Sequence, residues 1–307
     1  MTPAFHVPHQ PDGQRPTRRG RKPDAIGPEV GVSHRAWLEP IRARLTARSL
    51  TLDDLVARSG YSKTRISELL RGKGYYPGWE ITYSVVRVLD VPIWPLRLLW
   101  TAGAREAGRG TEWIERQISA VPAARREDPP LAHEGFTEGM RRPYTAYAAA
   151  FLQRGNRAQW VVREVFDILW LGWEEAVSSP DVRRHAWCLL RDRVLLRAER
   201  RRDGCPDLVP AAFSTVTQSK IIELSARFAQ IAETAGLFAA VSRLPPDQLD
   251  VIVLRYLCGQ SEDAAATIAG LPPAITHAID QHARDTLNCI YHPDTPDIPD
   301  LGVTAPQ

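Results

Sequence analysis

The sequence predicts an all-α protein, and two observations carry that prediction. Apolar residues recur at intervals of three and four along most of the chain, which is the spacing of one buried helix face. Runs in which apolar and polar residues alternate, the pattern of a half-buried strand, are nearly absent. The 307 residues are enough for two or three domains of ordinary size, so several helical domains are expected.

The composition is that of an ordinary globular chain, with 44% hydrophobic and 24% charged residues. A net charge of +3 is too small to indicate a nucleic-acid partner, so the placement of the charges has to carry that argument. The first residues lack the apolar core of a signal peptide. No window approaches the roughly 18 apolar residues of a membrane span. We therefore expect a cytoplasmic protein with no membrane partner.

The residues that usually carry metal or covalent chemistry form no recognisable pattern. The four cysteines include no C-x-x-C pair, which argues against both a disulfide framework and a zinc site. We interpret the nearest ligand set, His282, Cys289 and His292, as a chance cluster. The chain also lacks a phosphate-binding glycine loop, a nucleophile elbow and a His-Glu metal spacing. We expect no enzyme activity, no metal and no cofactor.

Shifts in composition divide the chain into helical domains and connecting segments. Proline, glycine and arginine dominate the start, and proline and acidic residues dominate the end, so both termini are predicted to be disordered. The predicted segments are a basic arm 1–34, a helix-turn-helix domain 35–106, a linker 107–131, a helical domain 132–203, a linker 204–219, a second helix-turn-helix domain 220–289 and a tail 290–307.

The first helical domain carries the clearest local signals. Thr51 is followed three residues later by Asp54, the spacing of a capping box at the start of a second helix. Gly60 predicts the end of that helix, because glycine accepts the left-handed backbone that a tight turn requires. Ser62 then predicts the start of a third helix.

The third helix is predicted to bury Ile66, Leu69 and Leu70 and to present a polar, basic outer face that fits the major groove. Its order of helix, glycine turn and serine-capped basic helix resembles the XRE-type helix-turn-helix family over about residues 36–100. That resemblance implies binding to double-stranded DNA. The candidate DNA contacts are Lys63, Thr64, Arg65, Ser67, Arg71 and Lys73. The alternative is that these residues are only the solvated surface of a three-helix unit.

The basic arm ahead of this domain contains arginines and a lysine with no acid among them. Such a segment gains affinity for DNA by neutralising phosphates and releasing counterions. The candidate contacts in the arm are Arg18, Arg19, Arg21 and Lys22. The alternative is a tail that only improves solubility.

The second helical domain begins with an aromatic stripe that we interpret as core. The stretch AQWVVREVFDILW that follows resembles region two of an extracytoplasmic-function sigma factor of the sigma-70 family. Trp187 stands where that family has an aromatic residue in its promoter-reading helix. The resemblance implies contact with core RNA polymerase. The candidates for that contact are Val162, Glu164, Phe166 and Trp170.

Arginines are dense between residues 182 and 202. This density predicts an electrostatic footprint for a phosphate backbone. The candidate contacts are Arg183, Arg184 and Arg191. The alternatives are a solvated basic face and an acidic protein partner.

Residues 237–287 resemble region four of the same sigma family, with matching positions at Leu244, Pro245, Leu249, Val253, Leu254, Arg255, Tyr256 and Gly259. The expected recognition helix, 272–288, sets Asp280 and Asp285 beside Arg284. Because phosphate repels a helix of net negative charge, we interpret this unit as a degenerate reader kept for internal contacts or for protein binding.

These features together resemble transcription regulators of actinobacteria. The predicted function is a sigma-factor-like transcription regulator that binds promoter or operator DNA through its first helix-turn-helix. Its further partners would be core RNA polymerase or an anti-sigma protein, and a homodimer is compatible with this function. The alternative is an adaptor that reads no DNA and binds polymerase, an anti-sigma factor or another regulator. Gln159 and Trp160, at positions that are acidic in the sigma family, favour that alternative.

Overall fold

The structure is a computed structural model that describes residues 25–123, 126–152, 155–208 and 234–291. The predicted all-α class is confirmed, since the described residues form helices joined by turns and contain no β-strand. Within these ranges, no helix combines the length and the apolar character needed to cross a bilayer.

The helices fall into three consecutive units, which we call N-terminal, middle and C-terminal. The N-terminal unit contains α1 (Val32–Ala47), α2 (Leu52–Ser59), α3 (Lys63–Arg71), α4 (Trp79–Leu89), α5 (Ile93–Glu106) and α6 (Thr111–Ser119). The middle unit contains α7 (Leu131–Leu152), α8 (Gly155–Leu171), α9 (Trp173–Ser178) and α10 (Val182–Leu195). The C-terminal unit contains α11 (Pro246–Ile252), a π-helical turn (Val253–Leu257), α12 (Glu262–Ala269) and α13 (Pro273–Tyr291), and residues 234–241 ahead of it are also helical.

A buried aromatic cluster holds the N-terminal unit together. The indole N–H of Trp37 donates to the Tyr76 hydroxyl at 2.9 Å, and that hydroxyl donates to the carbonyl of Trp100 at 2.6 Å. Trp113 of α6 stacks on Trp100 with ring centroids 5.7 Å apart, and Ile114 is buried beside it. The segment interpreted as a linker from the sequence therefore contains a helix that completes this unit.

Helix α8 belongs to two hydrophobic cores at once. Val161 and Val165 pack in the core of the middle unit, against α7 and α10. Ile168 and Leu171 point the other way and join the core of the N-terminal unit, where α8 contacts α1 and α5. Burial of apolar surface, rather than a flexible connection, thus fixes the N-terminal unit against the middle unit.

The middle and C-terminal units share one continuous core that runs from Tyr144 to Ala283. Gly270, in the left-handed conformation at the end of α12, lies so close to α10 that an added Cβ would overlap the backbone of Arg183 and Arg184. The sequence predicted two separate domains on either side of the second linker. Among the described residues, however, the middle and C-terminal units have a single common core.

Asp250 of α11 is the polar centre of this shared core. Its carboxylate accepts hydrogen bonds from the Tyr147 hydroxyl at 2.7 Å and the Trp187 indole at 3.2 Å, and it pairs with Arg191 at 2.8 Å. Burial raises the pKa of Asp250 to about 6, because desolvation outweighs the attraction of Arg191. One carboxylate therefore links α7, α10 and α11.

We predict that Asp250→Ala lowers the free energy of unfolding by about 3–5 kcal/mol, because it leaves a partly buried guanidinium and two buried donors without their acceptor. Urea denaturation at pH 7.5 measures the change. The matched control is Asp247→Ala, which removes an exposed carboxylate of the same helix paired with Arg184 at 3.2 Å. That surface pair is worth about 1 kcal/mol or less. Equal losses from the two variants would contradict the role given to Asp250.

Candidate nucleic-acid interface

The turn between α2 and α3 has the geometry that its sequence predicts. The Thr51 hydroxyl accepts from the Asp54 N–H at 3.2 Å, while the Asp54 carboxylate accepts from the Thr51 N–H at 2.8 Å, which confirms the capping box. The Thr51 hydroxyl also donates to the Asp54 carboxylate at 2.7 Å, and this bond, together with the one from the Thr51 N–H, holds the pKa of Asp54 below its usual value. Gly60 is left-handed with φ of 76°, and the Ser62 hydroxyl caps α3 by accepting from the Arg65 N–H.

Helix α3 has one buried face and one face open to solvent. Ile66, Leu69 and Leu70 are buried, as expected from the sequence. The candidate contacts Lys63, Thr64, Arg65 and Lys73 are exposed, and Ser67 and Arg71 are partly exposed. All six candidates are thus at least partly open to solvent, and three of them, Arg65, Arg71 and Lys73, line one groove together with Glu68.

The ammonium group of Lys63 lies 2.8 Å from the carboxylate of Asp53, and both side chains are largely exposed. An exposed ion pair of this kind is worth about 0–1 kcal/mol, so it presents little obstacle to contact with another anion.

The loop after α3 adds a feature that the sequence interpretation missed. Tyr76 is held inside by the aromatic cluster, which leaves its neighbour Tyr75 91% exposed. Between the loop and α3 lies a groove of about 550 Å³ whose lining includes Arg65, Lys73 and Tyr75. The signal available in the sequence was an aromatic residue within a basic, glycine-rich loop. An exposed ring flanked by cations is suited to contact with a sugar or a base.

The predicted arm contacts Arg18, Arg19, Arg21 and Lys22 lie outside the described residues. The described chain that follows them passes close to the end of α3. Val30 is buried there, and an added Cβ at Gly72 would stand 2.8 Å from its side chain. The segment that the arm joins therefore runs beside the candidate surface.

The arginines of α10 have a different environment from those of α3. Three of them form ion pairs within the protein, namely Arg184 with Asp247 at 3.2 Å, Arg191 with Asp250 at 2.8 Å and Arg193 with Glu39 at 2.6 Å. Arg197, just after the end of α10, pairs with Glu164 at 2.7 Å. Of the three candidates predicted on this helix, only Arg183 is exposed. Most of this positive charge is neutralised by the adjoining units and does not form an open basic face.

The candidate polymerase contacts are largely interior. Val162, Glu164 and Phe166 are 2%, 4% and 5% exposed, and Trp170 alone is partly exposed. Burial raises the pKa of Glu164, although the Arg197 guanidinium opposes the shift. Trp187, at the family's promoter-reading position, is fully buried against Asp250. In this arrangement of the units, a partner could reach only Trp170 among these residues.

The last helix, α13, also differs from its sequence interpretation in one respect. Asp280 does not face solvent, since it is buried and pairs with Arg255 at 2.5 Å and with Arg284 at 2.6 Å. Arg284, the cation expected on the reading face, is thereby turned toward this acid. The outer face keeps the exposed Asp285 and His282. Such a face has little attraction for phosphate.

We predict that Arg193→Ala destabilises the protein by about 1–3 kcal/mol, because this arginine is 5% exposed and its pairing with Glu39 joins α10 to α1. The matched control on the same helix, Arg183→Ala, removes an exposed arginine and should change stability by no more than about 0.5 kcal/mol. Thermal and urea unfolding measure both effects. If the two variants unfold alike, the pairing role of the α10 arginines is refuted.

Comparison of the chain with protein-family models, curated proteins and solved structures finds no match. Function therefore has to be argued from the site itself, from the charge, exposure and geometry of its residues. On those grounds the outer side of α3, with the groove beside it, is the strongest candidate for an interface.

Proposed function

We propose that this protein is a DNA-binding transcription regulator that reads duplex DNA with α3. The observation that carries the proposal is the pair of capped helices, α2 and α3, around Gly60, with Lys63, Thr64 and Arg65 exposed at the N-terminal end of α3. In helix-turn-helix proteins, that end of the second helix contacts base edges in the major groove. The caps at Thr51 and Ser62 and the left-handed turn at Gly60 are in the order that such a helix-turn-helix requires.

The residues of this surface divide by the contact that each can make. Arg65 can donate two parallel hydrogen bonds to guanine, the commonest specific contact in the major groove. Lys73 and Tyr75 are exposed on the loop beyond α3, and we propose that they contact the DNA backbone, where contacts set the register but read no sequence. The basic arm, with Arg18, Arg19, Arg21 and Lys22, would add phosphate contacts.

The resemblance of the later units to sigma-factor regions links this DNA binding to transcription. We propose that core RNA polymerase or an anti-sigma protein is the further partner, and that the middle and C-terminal units contact protein rather than promoter DNA. The ion pairs of α10 and the burial of Trp187 support that division, because neither leaves a basic reading face.

A second candidate function is an adaptor that reads no DNA. The burial of Trp187 favours it, because that residue stands where the sigma family reads promoter DNA. It differs from the first in one respect, since it requires no affinity for duplex DNA at α3. Pull-down of polymerase subunits, set against enrichment of genomic fragments by the full chain, separates the two. Promoter-dependent initiation with purified core polymerase would instead establish a working sigma factor.

We predict that the full chain selects a defined sequence from a pool of random duplexes. With that duplex, Arg65→Ala should weaken binding by about 5- to 100-fold and relax specificity at one position, because it removes a base contact worth about 1–3 kcal/mol. Lys73→Ala should weaken binding to all sequences alike and lower the slope of log affinity against log salt by about 1. Fluorescence anisotropy at several salt concentrations measures both.

Arg105→Ala serves as the control for loss of charge, since Arg105 is an exposed arginine on α5. It should leave affinity and salt slope within about twofold of the wild type, because it lies off the proposed contact surface. The proposal fails if the full chain shows no salt-dependent affinity for any duplex, or if Arg65→Ala and Lys73→Ala behave as Arg105→Ala does.

A further inference from the structure

An apolar groove of about 490 Å³ lies on the C-terminal unit, and we call it the C-terminal groove. Its lining includes Leu237 and Val241 ahead of α11, Tyr256 in the π-helical turn and Leu287 on α13. Leu237 is 41% exposed and Tyr256 is 52% exposed. An occupant that covers these side chains gains the free energy of burying apolar surface.

The apolar surface continues along α13 toward the end of that helix. Ile290 is 44% exposed and follows Leu287 by three residues, so the two side chains are neighbours on one helix face. Helix α13 ends at Tyr291, and residues 292–307 of the predicted tail, which lie outside the described residues, follow it in the sequence. The tail therefore leaves α13 about one helical turn beyond the groove residue Leu287.

The sequence of the tail repeats with a period of three. Residues 293–301 read PDTPDIPDL, which is three copies of Pro-Asp followed by threonine, isoleucine or leucine. Each proline fixes its own φ at about −65°. It also restricts the residue before it to an extended backbone. Both effects favour the polyproline II conformation, which has three residues per turn.

In that conformation the repeat places like residues in rows along the segment. The three rows are the prolines, the aspartates Asp294, Asp297 and Asp300, and the row of Thr295, Ile298 and Leu301. Proline-rich segments of this kind dock in grooves with aromatic linings, because their conformation is formed in advance and little entropy is lost. The C-terminal groove provides Phe238 and Tyr256 for such contacts.

The aspartate row has a cationic counterpart at the groove. Arg284 lines the groove, and its side chain is 52% exposed. Its Nε donates to the Tyr256 hydroxyl at 2.9 Å, and its Nη2 lies 2.6 Å from the Asp280 carboxylate. No acceptor for Nη1 is found among the described residues, so this nitrogen can donate to a further carboxylate. Residues 292–307 supply aspartates and contain no lysine or arginine.

The tail is long enough to reach the groove of its own chain. Nine residues of polyproline II span about 28 Å. The rise along α13 from Arg284 to Tyr291 is only about 10 Å, so a chain that turns back after α13 passes the whole groove. Because tail and groove belong to one chain, the effective concentration is roughly millimolar, and a modest affinity is enough for docking.

We propose that residues 293–301 dock in the C-terminal groove of their own chain as a polyproline II segment. The row of Thr295, Ile298 and Leu301 enters the groove, and the aspartate row runs along the side where Arg284 lies. This docking is independent of the proposed DNA binding, because it involves no residue of α3 and is assayed without DNA.

Photo-crosslinking of the full chain tests the docking. Benzoylphenylalanine replaces one tail residue at a time, at Ile298, Asp297 or Gln307, and mass spectrometry locates the partner residue. Position 298 should give a product of monomer mass that is linked to the lining of the groove. Its yield should exceed the yields at 297 and 307 by about fivefold or more, because the aspartate row faces away from the apolar lining.

Variants of the groove locate the docked segment. Leu237→Asp should lower the yield at position 298 by about fivefold or more, because it places a carboxylate among apolar side chains and near the aspartates. Leu237→Lys should lower it less, since the opposite charge attracts the tail. The matched control is Leu196→Asp, at a leucine that is 55% exposed and does not line the groove. It should leave the yield within about twofold.

Thermal melting shows whether each groove variant retains its fold, and the comparison of the three tail positions leaves the groove unchanged. The proposal is overturned by equal yields at 297, 298 and 307, by links outside the groove, or by no link at all. It is also overturned if Leu237→Asp behaves as Leu196→Asp does. A product of twice the monomer mass would overturn it too, because the tail would then occupy the groove of a second copy.

Discussion

The double burial of α8 is the constraint on which the rest of this molecule depends. One helix supplies apolar side chains to two cores, so the N-terminal unit cannot leave the middle unit without exposing both Ile168 and Leu171 to water. Two ion pairs also join the N-terminal and middle units, Arg193 with Glu39 and Arg44 with Glu174. Because ion pairs depend on geometry, they favour one relative orientation of the two units. The orientation of α3 is therefore set by the whole protein and not by a flexible linker.

The way the units are attached decides which arginines are exposed and which are paired with carboxylates. On α3 and its loop, Lys63, Arg65 and Lys73 are exposed at the outside of the molecule. On α10, three arginines, Arg184, Arg191 and Arg193, instead pair with carboxylates of the adjoining units, such as Asp250. A buried arginine that is paired loses stabilisation if it is drawn toward a phosphate, because its carboxylate is then left uncompensated. Charge density alone does not distinguish the two situations.

The same junctions enclose residues that were expected from the sequence to be open to a partner. Trp187 is enclosed by neighbouring helices, and its exposure would require breaking its hydrogen bond to Asp250 of α11. Glu164 is buried as well and is paired with Arg197. A cavity lined by His133 and Asp167 lies at the opposite junction, between α5 and α8. Asp250 and the cavity thus both lie at contacts between units.

The sequence by itself determined the fold class, the caps of α2 and α3, the turn at Gly60 and the buried face of α3. Each of these depends on residues within four positions of one another, where backbone geometry decides the outcome. Only the tertiary structure decided that Asp280 is buried, that Arg193 pairs with Glu39 154 positions away, that Tyr75 is exposed, and that His133 and Asp167 face one cavity. The reason is physical: the burial of a charge and its choice of partner depend on which surfaces meet, and periodicity along the chain carries no information about that meeting.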